Sequence, residues 1–400
     1  MKVFVLPSWY PTATHPISGG FVRDQARALA DSGDDLQVVV GTWDHADGAL
    51  SLREPASLLR AWRWKASLRA GPSWSADGKL AVVRTPALSW TLRVAGGGVA
   101  GLLAASRRNF AAARERHGDF DLLHAHVGFP AGHIARELAR EHRLPYVLTE
   151  HMSPFPVPAL RRGDTLRAEL RQAFDDAARV LAVSPGLAAD IARHGLPCHA
   201  VVPNVVDERR FPVEPPPSGR FVLLALGGLR PQKGFDLLLQ ALQRWNPDPS
   251  DVQLVIGGDG PLRAALQSQA EHLKVADRVR FLGAVAPDDV PRWMAASHAF
   301  VLPSRHETFG VVAAEALASG RPVIATRSGG PESFVDDTCG RLVGVGDVVG
   351  LAEALQWMRS HASGFDPLAL RCRIERHCSR AAVSAQLRAI YRSVIDGGDA

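Results

Sequence analysis

The stretch Phe300-Val-Leu-Pro-Ser-Arg-His-Glu307-Thr-Phe-Gly310-Val-Val-Ala-Ala-Glu315-Ala-Leu-Ala-Ser-Gly320 decides the fold. Phe300–Pro303 is an apolar run that reads as a strand, and a polar loop follows it. A helical pattern then opens near Gly310 and stops at Gly320, a residue suited to a C-terminal cap. The same strand, loop and helix recur through nearly the whole chain. In the first half, β-rich runs fall at 2–7, 36–41, 81–85, 122–126, 146–149, 180–184 and 200–203, with helical patterns such as Phe21–Ala30 and Ile134–His142 between them. They resume at 221–226, 254–256, 279–282, 300–303, 322–326 and 341–343. Strands apolar almost throughout, alternating with helices, predict parallel sheets covered on both faces.

The 400 residues exceed one ordinary core and predict about two domains. Between the two series of strands, Phe211, Pro212, Pro215, Pro216, Pro217, Ser218 and Gly219 continue neither strand nor helix. Residues 209–219 are therefore read as a linker, with one domain over 1–208 and another over 220–372. A composition 46% hydrophobic and 22% charged is globular, not disordered. The four cysteines are too sparse for a disulfide scaffold and lack metal-type pairing, which predicts a reduced, cytoplasmic chain. The N-terminal apolar stretch is too short for a signal peptide, and Val94–Ser106 is well short of a membrane span.

The net charge of +5 is uneven, with twelve Lys or Arg against three acids from Arg53 to Arg116, beside Trp62, Trp64, Trp74 and Trp90. Such a surface suits an anionic membrane, at its inner face for a cytoplasmic protein, or an anionic acceptor. A solvated basic face with half-buried tryptophans is the plainer alternative.

Ligands of doubly wound sheets bind at the carboxyl ends of the strands, so the loops there carry the chemistry. Glu307 and Glu315 are eight residues apart, about 12 Å even on one continuous helix. A retaining hydrolase needs its carboxyl pair about 5 Å apart. These two better suit separate parts of one long, hydroxyl-bearing ligand. The backbone N–H groups around Phe309, Gly310 and Val311 offer a phosphate site at the helix start. Gly19 and Gly20 follow the first strand and let backbone approach an anion, or simply make a turn. His124 and His126 share one face of a strand, and His151 is a third imidazole at a strand end. Two motifs are discounted. Gly96-Gly-Gly98-Val-Ala-Gly101 follows no clear strand, and Asp119-Phe-Asp121 introduces the strand of His124 and His126 rather than holding a metal. No other cluster has ligand spacing, so neither cofactor nor essential metal is expected.

The 303–320 segment resembles the Glu-x7-Glu motif of the retaining family-four (group 1) glycosyltransferases of GT-B fold. Pro7-Ser-Trp-Tyr-Pro with Ser18-Gly-Gly-Phe-Val is similar to their N-terminal glycine loop. Asp121-Leu-Leu-His-Ala-His126, Thr149-Glu-His151, Val183-Ser-Pro-Gly and Val202-Pro-Asn-Val-Val-Asp207 follow in family order. So do Leu229-Arg-Pro-Gln-Lys-Gly234 and Gly257-Gly-Asp-Gly-Pro261. The resemblance implies an α/β GT-B architecture, in which two doubly wound, Rossmann-like parallel-sheet domains face each other across a cleft. The first would take the acceptor and the second the nucleotide sugar, with residues 373–400 forming a C-terminal helix that crosses back to the first domain.

By the same resemblance, Glu307 contacts the donor sugar and stabilises charge developing at its anomeric carbon, while Glu315 takes the ribose hydroxyls. Lys233 neutralises the diphosphate leaving group; its alternative is a surface lysine in a turn. Arg230, Thr308, Phe309, Gly310 and Gly258 complete the donor set. His126 lies near the reacting sugar, with Gly19, Gly20 and His151 toward phosphate or acceptor. Gly228 stands where relatives commonly carry arginine, which leaves Arg230 as its replacement, and Val205 stands in place of a linker glycine. The implied reaction is retaining, metal-free hexosyl transfer from a UDP- or GDP-sugar to a saccharide or lipid-linked acceptor, in cell-surface polysaccharide or glycolipid synthesis. A GT-B sugar-nucleotide epimerase and a basic nucleic-acid-binding protein remain as rivals. Against the latter, the positive charge is confined to one stretch and no nucleic-acid motif is present, so no nucleic-acid partner is expected.

Overall fold

A computed structural model describes residues 1–12, 15–45, 71–87 and 99–397. Trp62, Trp64, Trp90, Gly96 to Gly98 and much of the basic stretch lie outside the described residues. The chain forms two compact units, one of residues 1–183, 188–202 and 383–400, the other of 184–187 and 203–382. The proline run 215–217, read above as linker, thus falls inside the second unit, where the Pro215 carbonyl accepts from Arg321 Nη2 at 3.5 Å.

In the first unit the strands are β1 (Lys2–Pro7), β2 (Gln37–His45), β3 (Ser73–Asp77), β4 (Leu80–Ala87), β5 (Leu122–His126) and β6 (Tyr146–Glu150). After a two-stranded hairpin of β7 (Arg161–Arg162) and β8 (Thr165–Leu166) come β9 (Arg179–Ala182) and β10 (Ala200–Val201). The main sheet runs β10-β9-β6-β5-β1-β2-β4-β3. Its pairs are parallel except β3 against β4. The expected strands omit β3, since Ser-Trp-Ser-Ala-Asp carries neither an apolar run nor a clean alternation. Helices α1 (Gly20–Ala30), α2 (Val99–His117), α3 (His133–His142), α4 (Ala168–Asp175) and α5 (Pro185–Arg193) connect the strands.

The order leaves β1 central, with β5 on one side and β2 on the other. Val3, Phe4, Val5 and Leu6 are each at most 1% exposed, as a strand covered on both faces must be. Burying each such side chain is worth roughly 1.5–3 kcal/mol. Phe4 meets Phe110 and Phe120 edge-on, at 5.1 and 5.4 Å between ring centroids.

The second unit holds β11 (Phe221–Leu226), β12 (Val252–Gly257), β13 (Val279–Gly283), β14 (Ala299–Leu302), β15 (Val323–Thr326) and β16 (Gly340–Val343). All its pairs are parallel, in the order β13-β12-β11-β14-β15-β16. This is the dinucleotide-fold order 3-2-1-4-5-6, which reverses direction between β11 and β14. Helices α6 (Phe235–Trp245), α7 (Arg263–His272), α8 (Val290–Ala295), α9 (Val311–Ala318), α10 (Val348–His361) and α11 (Pro367–Cys378) flank it. Helix α9 is apolar nearly all round, with Ala313, Ala314, Ala316, Leu317 and Ala318 fully buried. Its one charged residue, Glu315, is half-buried.

The last helix, α12 (Arg380–Ile395), belongs from Val383 onward to the first unit. There the Tyr391 hydroxyl bonds His124 Nδ1 at 2.6 Å, both side chains fully buried. Tyr391→Phe leaves that nitrogen unpartnered and is expected to lower unfolding free energy by about 1–2 kcal/mol, read from urea denaturation.

Candidate active site

Where strand order reverses, neighbouring crossovers leave on opposite faces and open a crevice at the carboxyl ends. In the second unit that point lies between the loops after β11 and β14, which carry Lys233 and Glu307. Gly234 brings the loops together. At φ +66 its α-carbon lies so close to the β14 loop that a β-carbon would stand 2.0 Å from the Pro303 carbonyl oxygen. Arg305 clamps the approach. Its backbone N–H donates to the Gln232 carbonyl at 2.8 Å, Nη1 donates to the Pro231 carbonyl, and the guanidinium grips Asp236 with two bonds of 2.7 and 2.6 Å. That fork holds the Asp236 carboxyl below its ordinary range.

Lys233 Nζ then donates to Glu307 Oε1 at 2.5 Å, and Ser304 Oγ donates to the same oxygen at 2.8 Å. The Glu307 side chain is 9% exposed and that of Lys233 27%. Glu307 Oε2 has no partner among the described residues. One oxygen is therefore anchored, while the other is left to accept hydroxyls. The ammonium keeps N–H donors for an anion. Gly310 starts α9 in a left-handed conformation, and no side chain caps that end. The Phe309 ring is 2% exposed and packs on Phe334, 5.1 Å between centroids, so only its main chain faces the loop. Thr308 and Glu315 are half-buried on either side of it in sequence. Arg230 is exposed and unpaired among the described residues. The Gly258 N–H donates to the Gly283 carbonyl at 2.7 Å, which commits it to the fold.

The first unit repeats the device with neutral groups. Its order reverses between β1 and β5. His124 and His126 share a face of β5, ring centroids 4.3 Å apart. His124 is spent on Tyr391 and on Thr149 Oγ1, 2.8 Å from Nε2, which makes it a core residue. His126 Nδ1 instead pairs with His151 Nε2 at 2.9 Å. Burial pushes His124 down to about 3 and holds His126 well below its ordinary value. His126 is thus a neutral hydrogen-bonding group at physiological pH. Glu150, fully buried, accepts from the N–H groups of Gly128, His151 and Met152 at 2.9, 2.7 and 2.7 Å. Burial raises its carboxyl to about 6 against the pull of those bonds. After β1, Gly19 has φ +68, and a β-carbon there would meet the Trp9 carbonyl oxygen at 2.1 Å. A β-carbon at Gly20 would meet nothing within 4 Å. The Asp119 and Asp121 carboxylates bond Arg114 and the Lys2 N–H respectively, structural duties both.

The profile described as Glycosyltransferase Family 4 matches residues 19–210, and that of Glycosyl transferases group 1 matches 220–361. The chain belongs to this glycosyltransferase family. A lipopolysaccharide core biosynthesis glycosyltransferase of Rhizobium meliloti is 38% identical over 141 residues, 35% of this chain and 40% of that one. A GDP-mannose-dependent α-(1-6)-phosphatidylinositol monomannoside mannosyltransferase of Mycolicibacterium smegmatis is 33% identical over 209 residues, 47% and 55% of the two chains. The chain thus spans about half the length of these curated relatives. Among solved structures, sucrose-phosphate synthase from Thermosynechococcus elongatus superimposes with TM-score 0.73 at 20% identity, over 100% of both chains. Anabaena HepE, solved with UDP, gives 0.71 at 20% identity, over 98% of this chain and 100% of that one. The fold of this glycosyltransferase is GT-B.

The structure brings Lys233, Glu307 and Ser304 together in one unit and His126 and His151 in the other. Sequence reasoning missed Ser304, Arg305, Asp236 and Glu150. Ser304 and Arg305 were within the quoted motif, but nothing in the spacing joins Arg305 to a carboxylate 69 positions away. In this glycosyltransferase the two loop glycines should separate. Gly19→Ala is expected to cost about 1–3 kcal/mol, whereas Gly20→Ala stays within about 0.5 kcal/mol. Thermal melts of the two variants check this.

Proposed function

We propose that the protein is a retaining hexosyltransferase, moving a sugar from a UDP- or GDP-sugar to a saccharide or lipid-linked acceptor. The observation that carries this is the Lys233–Glu307 pair at the switch point of the second sheet. A lysine beside uncapped helix N–H groups suits a diphosphate, whose charge grows as the glycosidic bond breaks. The free oxygen of Glu307 suits the donor sugar, accepting its hydroxyls and favouring an oxocarbenium-like transition state. Glu315 takes the ribose hydroxyls, and exposed Arg230 supplies a second cation toward the diphosphate. Neutral His126, held by His151, offers a hydrogen bond to a sugar hydroxyl, and the open space over Gly20 leaves room for ligand. No separate general base is assigned; the departing phosphate oxygen takes the acceptor proton on the same face of the sugar. No metal has a role in this reading.

The names of the relatives, one in lipopolysaccharide core synthesis and one in phosphatidylinositol mannoside synthesis, support a part in cell-surface polysaccharide or glycolipid assembly. The setting is cytoplasmic and peripheral to the inner membrane face. The basic stretch of the first half supports it, and among the described residues no helix is long and apolar enough to cross a membrane.

Glu307→Ala and Lys233→Ala are expected to fold normally and to lose transfer by at least about 100-fold, measured as donor turnover with acceptor present. Wild-type turnover by Glu307→Ala would refute the role of this carboxylate. Co-sedimentation with anionic liposomes is expected to fall as salt rises, and binding indifferent to lipid charge would remove the membrane from the proposal.

A further inference from the structure

The opposite end of the second sheet holds a cavity of about 300 Å³. It lies where β11, β14 and β15 begin, lined by Phe221, His298 and Pro322, with Ser363 and Phe365 from the turn after α10. Lys233 and Glu307 stand at the carboxyl ends of the same strands, so the cavity is separate from the site above.

Arg321 also lines this cavity and is only 1% exposed. Main-chain carbonyls hold its guanidinium. Nε donates to Met294 at 3.1 Å, and Nη2 donates to Ala295 at 3.0 Å and to Pro215 at 3.5 Å. Among the described residues it forms no ion pair, and Nη1 has no partner. Exposed Glu214 acts on it only at longer range, and burial lowers its pKa. A buried cation oriented by dipoles but not neutralised carries an uncompensated desolvation cost. A second guanidinium lines the same space. Arg359 is held by Asp251 with bonds of 3.0 and 2.5 Å, 5.3 Å from the centroid of the Phe221 ring.

We propose that this cavity is a second anion site, taking free phosphate or a small phosphomonoester with Arg321 as its counter-ion. Guanidinium N–H groups form charge-assisted bonds to phosphate oxygens, and in Arg321 the unpartnered Nη1 is the nitrogen left to donate. Phe221, Phe365, Pro216 and Pro322 give part of the lining an apolar character, against which a charge-assisted bond is strengthened. The volume is at the lower end for small-molecule pockets, enough for a phosphate carrying a compact organic body.

Thermal shift with inorganic phosphate and with glycerol 3-phosphate, against sodium chloride at matched ionic strength, tests the site. The wild-type melting point is expected to rise saturably, by about 3 °C at tenfold excess over Kd. Lys233→Ala keeps the rise, while Arg321→Met and Ser363→Trp lose it. Ser363 lines the cavity at an exposed position, so tryptophan there is expected to fold normally and to obstruct the cavity, and it decides the matter alone if Arg321→Met does not fold. A larger rise with glycerol 3-phosphate assigns the ester as occupant, and equal rises assign the free ion. No rise in the wild type, an equal rise with chloride, a rise retained in Ser363→Trp, or one abolished by Lys233→Ala would each overturn the proposal.

Discussion

The close approach of Gly234 to the Pro303 carbonyl is the constraint on which the second unit's chemistry rests. Only a residue without a β-carbon lets the loop after β11 lie against the loop after β14. Once they touch, Arg305 can reach two carbonyls and a carboxylate of the first loop, and Lys233 can reach Glu307. An ammonium and a carboxylate brought this close offset much of each other's desolvation. A ligand that enters need not find either charge buried alone.

The first sheet reverses order in the same way yet fills its switch point differently. His126, His151 and Glu150 are buried there, and burial keeps the His126 imidazole neutral and raises the Glu150 carboxyl. Glu150 gathers three backbone N–H groups, which lock the end of β6 to the start of the loop after β5. One unit thus places an ammonium–carboxylate pair at its switch point and the other a neutral imidazole.

Much of this was legible in order along the chain. The apolar runs predicted the strands because a strand covered on both faces has no polar side to show, and β3 escaped because an edge strand need not be apolar. Glu307 stood out as a charge in the loop directly after such a run, whereas Lys233 was singled out through the family resemblance. His124 and His126 could not be told apart, since residues two apart on a strand share a face. Their partners tell them apart: His124 is held by Tyr391, 267 positions away, and by Thr149, whereas His126 pairs with His151. The proline run read as a break in structure, which it is locally. It nevertheless belongs to the second unit, where its Pro215 carbonyl lies 3.5 Å from Nη2 of Arg321, more than a hundred residues later.

Local pattern therefore determined by itself the order and approximate place of most strands and helices, and which loops carry charge or glycine, because those preferences act over a few neighbouring residues. Tertiary structure alone decided which two loops share a switch point and which oxygen of Glu307 stays open. It also left one arginine at the far end of the sheet without a carboxylate among the described residues. Those outcomes depend on the order in which strands lie side by side, and that order is set by contacts among residues far apart in the chain.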